Sequence, residues 1–201
     1  MTNTTARHPL IHTAIPALNG SPARRMALHC GLALVGTLFI ALSSRIEVPF
    51  YPVPMTLQTL AVMVIAAVYG GRLGFATLAL YLMEGALGLP VFSGTPERGV
   101  GLVYMTGPTG GYLLGFLLAA GLVGWFAERR AGKSLLPLAG MMAAGLLVVY
   151  AFGATWLATF TGWDKAFTLG VAPFILGDVL KIALAAALVK ASWSRLSKRA
   201  S

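Results

Sequence analysis

Three ionisable side chains fall inside apolar runs of this 201-residue chain: Glu84, Asp178 and Lys181. An ionised group at the centre of a membrane helix costs about 2.5–3.5 kcal/mol on insertion scales, so it persists where a partner or a function offsets that cost. Asp178 and Lys181 lie in Phe174-Ile175-Leu176-Gly177-Asp178-Val179-Leu180-Lys181. A spacing of three places both on one helix face. The pair admits three readings: a self-neutralising bridge that fixes helix packing, a proton relay, or the wall of a pocket that meets a polar ligand. The ligand reading is favoured, because a polar guest would offset the insertion cost. Pro173 removes a backbone donor and predicts a kink just before the pair.

Other polar groups are candidates for the same pocket. Glu84, in Tyr81-Leu82-Met83-Glu84-Gly85, reads as an interfacial carboxylate or as a rim acceptor for a ligand N–H. Thr56 and Gln58 follow Pro54 at the start of an apolar run. Thr56 is placed to satisfy an orphan amide of the first turn. Gln58 suits an interhelical hydrogen bond as well as a ligand contact. Gly107-Pro108-Thr109-Gly110-Gly111-Tyr112 starts a helix, with proline ahead of the first turn. Free N–H groups there could hold a carboxylate.

Several chemistries are excluded. Cys30 is the single cysteine, so neither an internal disulfide nor a cysteine zinc cluster can form. His8, His12 and His29 are the only histidines, which leaves the rest of the chain without a nucleophile–histidine pair. Ala127 through Ser134 loosely matches a phosphate-binding loop. A genuine one follows a strand in a soluble sheet, whereas this stretch joins two apolar runs, so Lys133 is read as a topology charge. Gly177-Asp178 has the look of an intramembrane aspartyl protease motif, but the only other aspartate, Asp164, falls in a loop. The chain is read as not an enzyme.

The elements that must position these groups are membrane helices. The composition is 57% hydrophobic and 10% charged, with mean hydropathy +0.79, against about 25% charged in a soluble domain. A small soluble fold cannot hide that much apolar surface. Runs of roughly 20 apolar residues mark spans. Six are predicted, at Arg25–Ser43, Pro54–Tyr69, Arg72–Leu87, Thr109–Phe126, Leu135–Phe160 and Phe167–Ala191. The fold class is therefore all-α: a polytopic six-transmembrane-helix bundle. The Gly70-Gly71 pair predicts a tight hairpin between the second and third spans. Residues 1–24 lack periodicity and read as a disordered tail, residues 25–191 as the membrane domain, and 192–201 as a basic tail. The first apolar run begins too late for a cleaved leader and is read as a retained helix.

Net charge is +9. In a soluble protein this would suggest nucleic acid, but here the charge encodes topology, and no nucleic-acid partner is expected. Arg7, Arg24 and Arg25 precede the first span, and Arg72 lies in the second loop. Arg129, Arg130 and Lys133 lie in the fourth loop, and Lys190, Arg195, Lys198 and Arg199 at the C-terminal end. These eleven face only three, Arg45, Arg98 and Lys165, in the odd loops. Both termini are thus expected in the cytoplasm. The first and third loops then face outward. They are rich in proline, glycine and aromatics, and irregular apolar backbone beside a membrane must be buried or line a cavity. Both are expected to be ordered and to fold over the outer mouth of the bundle.

Four stretches together resemble the BioY family, the biotin-specific substrate-binding subunits of energy-coupling-factor (ECF) transporters. They are 52–60 (Pro52 to Leu60), 85–92 (Gly85 to Phe92), 107–116 (Gly107 to Phe116) and the D-x-x-K of Asp178 and Lys181. They occur in the family's order and span residues 52–181. The resemblance implies a six-helix S-component of the bacterial cytoplasmic membrane that captures biotin near the outer face. It implies partnership with a transmembrane coupling subunit and two ABC-type ATPases that consume ATP, and no cofactor in this chain. It points to Asp178 and Lys181 as ligand contacts; Glu84, Gln58, Thr56 and Thr109, singled out above by residue type and place, are added as candidates for the same site. Arg98 is a second candidate cation for the ligand's tail, and Tyr112 and Phe92 are candidates to pack on its ring system. Docking would use a small-residue seam on the first helix, matched here by Ala33, Thr37 and Ala41, with Thr where the pattern expects Ala. The alternative is a secondary transporter of a small polar molecule, driven by protons through Asp178 or Glu84.

Overall fold

A computed structural model of the chain describes residues 9–15, 18, 20–130 and 134–200. Arg7, His8 and Lys133, used in the charge and histidine readings, lie outside the described residues, as does most of the loop 131–134. The described elements run α1 (Leu10–Ala14), α2 (Pro22–Ser44), β1 (Glu47–Val48), β2 (Met55–Thr56), α3 (Gln58–Tyr69), α4 (Gly71–Ala86) and α5 (Leu102–Thr106). They continue with α6 (Gly110–Arg130), α7 (Leu135–Thr161), α8 (Trp163–Gly170), a short 3₁₀ turn at Ala172–Phe174, and α9 (Ile175–Ala200). The protein is predominantly helical. Four stretches are long and apolar enough to cross a membrane: Pro22–Ser44, Gly110–Arg129, Leu135–Thr161 and Trp163–Leu196. Leu34, Leu38 and Leu42 on α2, Leu147 on α7, and Leu176 and Leu180 on α9 are exposed, as side chains solvated by lipid would be.

The second predicted span is shorter than its sequence suggested. Pro54 to Thr56 belong to the first loop, where β1 and β2 pair antiparallel with Glu47 opposite Thr56 and Val48 opposite Met55. The helix proper starts at Gln58 and is 12 residues long, ten of them buried. At 1.5 Å per residue it covers about 18 Å. It is the central core helix, with α4, α6 and α9 packed around it.

Gly70 turns the chain from α3 into α4 with φ +83° and ψ 178°, a conformation essentially confined to glycine. Glu128 on α6 accepts a hydrogen bond from the Gly71 amide at 2.8 Å, so the turn is also tied to the neighbouring helix. The predicted hairpin is present. The helix pair α6–α7 approaches closely where a Cβ on Gly115 would stand 2.7 Å from the Val149 Cα.

The last predicted span is interrupted rather than kinked. α8 ends at Gly170, Val171 leaves helical geometry at φ −127° and ψ −60°, and α9 restarts at Ile175 after the 3₁₀ turn that holds Pro173. Asp178, which the sequence placed mid-run, therefore lies in the first turn of α9.

Two further expectations change. Within the tail read as unstructured, α1 packs Leu10 and Ile11 into the bundle and Leu18 is buried with them. These isolated apolar residues are too few to show periodicity, yet they find a groove on the bundle. The seam proposed for docking is turned inward: Ala33 and Thr37 are buried and Ala41 is half-buried. Small residues there let α2 approach α4, where a Cβ on neighbouring Gly36 would meet Thr77 at 2.6 Å.

Candidate functional site

A cavity lies where the two loops meet the helix bundle. The first loop contributes Val53, Pro54, Met55 and Thr56, and α3 contributes Gln58 and Thr59. The third loop supplies Ser93, Tyr104 and Thr109. Tyr112, Leu113 and Phe116 come from α6, Val149 and Tyr150 from α7, Phe174 from the 3₁₀ turn, and Asp178 and Lys181 from α9. The lining is an apolar wall with a few convergent polar groups, the usual make-up of a small-molecule site. Its internal volume is about 60 Å³, room for roughly four waters.

The charged pair forms one edge. Lys181 Nζ donates to Asp178 Oδ1 at 2.8 Å, and the Tyr150 hydroxyl donates to Asp178 Oδ2 at 2.7 Å. Asp178 and Lys181 side chains are only 5% and 13% exposed. Each carboxylate oxygen retains a lone pair beyond its present bond, and the ammonium retains two N–H donors. The positive end of the α9 macrodipole also favours a carboxylate in the first turn. This edge can therefore offer both donors and acceptors to a polar guest.

Gln58 Nε2 donates to the Tyr81 hydroxyl at 2.8 Å, which donates onward to the Val91 carbonyl at 2.9 Å. With its amide nitrogen so engaged, Gln58 retains its carbonyl oxygen as an acceptor, and the residue lines the cavity. Thr56 Oγ1 accepts the Gln58 amide at 3.2 Å, as the sequence predicted for an orphan donor of the first turn. The Tyr112 hydroxyl donates to the Gly170 carbonyl at 2.7 Å. That bond fixes the ring in the cavity wall and ties α6 to the end of α8.

The roof is pinned to the end of α2. Arg45 Nη1 donates to the Thr95 carbonyl at 2.8 Å and Nη2 to the Pro90 carbonyl. Ser44 Oγ lies 2.8 Å from the Val91 carbonyl, and Ser93 Oγ donates to Glu47. Phe92 stacks on Tyr104 at 4.9 Å and meets Tyr81 edge-on at 5.5 Å. Both loops are thus ordered parts of the fold.

Of the residues singled out in the sequence, Asp178, Lys181, Gln58, Thr56, Thr109 and Tyr112 meet at this cavity. Three do not reach it. Glu84 accepts a hydrogen bond from Thr37 Oγ1 at 3.0 Å, joining α4 to α2. Phe92 lies behind Tyr104, fully buried, and anchors the third loop. Arg98 is exposed and folds back on Gly94. Sequence reasoning passed over Tyr150, Tyr104, Ser93 and the Arg45 latch. Tyr150 carried a signal, since a hydroxyl in an apolar span needs a partner. The Arg45 latch carried none, because its acceptors are backbone carbonyls some fifty residues away.

Comparisons with known proteins bear on the family and the fold. The model of the BioY family matches residues 16–198. A Pyrococcus horikoshii protein named "Probable biotin transporter BioY" is 44% identical over 74% of this chain and 87% of its own length. The Rhizobium etli biotin transporter BioY is 39% identical over 79% of this chain and 89% of its own. A crystal structure of the S-component for biotin from an ECF-type ABC transporter superposes with TM-score 0.74. It is 24% identical, covering 89% of this chain and 95% of that one, and it shares the fold. With 183 of its residues matched by the family model, the chain belongs to the BioY family.

Proposed function

We propose that this chain captures biotin in the cavity beneath the first and third loops and delivers it across the cytoplasmic membrane as the substrate-binding subunit of an ECF-type transporter. The observation that carries the reading is the Asp178–Lys181–Tyr150 cluster, with Asp178 buried and its two partners half-buried, set in the wall of an apolar cavity in a chain of this family. Biotin presents two ureido N–H donors, a carbonyl, a thioether ring and a carboxylate tail. The Gln58 carbonyl and the spare lone pairs of Asp178 suit N–H donors. The spare N–H groups of Lys181 suit a carboxylate or carbonyl oxygen. Thr56 and Thr109 supply hydroxyls. Tyr112, Phe116, Val149 and Phe174 provide apolar surface for the ring and chain.

In this reading α8 and α9 together form one broken span, and α3 and α4 are the two short ones. That makes six spans, with eleven basic residues on the side of both termini and three on the other. The loops then roof an outward-facing cavity. Release inward is driven by a transmembrane coupling subunit and two ATPases, in keeping with the absence of a nucleotide site among the described residues. Binding of labelled biotin to purified protein tests the assignment. Tight one-to-one binding is expected, and retention of that affinity in an Asp178→Asn, Lys181→Met double variant would contradict the site.

A further inference from the structure

At the opposite end of α2 from the loops lies a second, larger cavity of about 670 Å³. It is walled by α1, the start of α2, the α3–α4 turn and the end of α6. Two arginines and two histidines converge on it: Arg25 and His29 from α2, Arg72 from α4, and His12 from α1. The His12 and His29 rings stand 6.0 Å apart, edge to face. One acidic residue, Glu128, also lines the cavity, but its Oε1 is engaged by the Gly71 amide at 2.8 Å. The charge balance is therefore positive even with both histidines neutral. The remaining wall includes apolar Met26 and Leu73.

Membrane topology requires basic residues at this end of the bundle, but it does not require them to share one cavity. Arginine forks match phosphate oxygens in a bidentate geometry. A wall that combines basic side chains with apolar Met26 and Leu73 suits an amphiphile with a phosphate head. We propose that this cavity is a site for an anionic phosphate group, independent of the biotin cavity. On the topology proposed above it opens to the cytoplasmic leaflet, where an anionic glycerophospholipid would supply the phosphate. Free phosphate offers the same chemistry without the acyl chain. Each basic side chain near a phosphate-rich surface changes affinity roughly fivefold, so losing both arginines should weaken binding about twenty-five-fold.

Native mass spectrometry on the detergent-purified full chain tests this, with dioleoyl phosphatidylglycerol, dioleoyl phosphatidylcholine and inorganic phosphate as probes. One phosphatidylglycerol should be retained in preference to phosphatidylcholine. Retention should fall about twenty-five-fold in Arg25→Gln, Arg72→Gln, while biotin binding, measured in parallel, reports that the variant is folded. Retention unaffected by excess inorganic phosphate identifies the lipid as the source. Binding of inorganic phosphate itself, lost in the same variant and with no preference for phosphatidylglycerol, identifies free phosphate and still upholds the site. Equal retention of both lipids without phosphate binding, or undiminished phosphatidylglycerol binding in the variant, overturns it. Failure of biotin binding in the wild type would sink the biotin reading and leave this one standing.

Discussion

Removing one member of the Asp178–Lys181 pair should behave very differently from removing both. The side chains are 5% and 13% exposed and 2.8 Å apart. Asp178→Asn leaves the ammonium without a counter-charge inside the bundle. Lys181→Met leaves the carboxylate with the Tyr150 hydroxyl alone. Breaking one side of a buried ion pair costs about 3–5 kcal/mol, whereas replacing both charges by neutral groups is often close to neutral. Each single variant should therefore unfold well before the wild type in a thermal or denaturant titration, and the double variant should recover most of the loss. Biotin affinity should follow a different order. Each lost charge-assisted hydrogen bond to the ligand removes about 1.5–3 kcal/mol, roughly a ten- to hundred-fold weakening. The double variant should then be stable and yet bind poorly. The reasoning is refuted if the double variant binds as the wild type does, since the pair would then be a packing device alone. It is equally refuted if both singles are as stable as the wild type.

Three more outcomes follow from the geometry. Arg45→Ala removes two guanidinium bonds from the third loop and should raise the biotin dissociation rate about tenfold or more, as read by chase of labelled ligand. Glu84→Gln keeps an acceptor for Thr37 and lies away from the cavity, so an isotherm should give a biotin Kd within about twofold of the wild type. Gly70→Ala would place a Cβ 2.3 Å from Glu128 Oε1 at a φ of +83°; it should cost about 1–3 kcal/mol, seen as a lower unfolding temperature.

Much of this architecture was legible in one dimension. The apolar runs, the Gly70 hairpin and the charge asymmetry are local or statistical properties, so they survive without coordinates. The spacing of Asp178 and Lys181 likewise implied a shared helix face and hence a pair. The inward turn of Ala33 and Thr37 was not legible, because in lipid the inner and outer faces of an apolar helix carry similar residues. The break before Asp178 was only half-visible. Pro173 announced a disturbance, but whether a proline kinks or interrupts a helix depends on neighbours that receive the freed carbonyls.

The sequence by itself determined the solvent, the helices and the presence of costly buried charge, because hydropathy and insertion energy add along the chain. Tertiary structure decided which polar groups share a cavity. It brought Tyr150 to Asp178 across 28 positions, sent Glu84 to Thr37, and set Phe92 behind Tyr104. Those partnerships depend on helix rotation and loop path. Both are set by packing between residues far apart in the chain, and no local pattern encodes them.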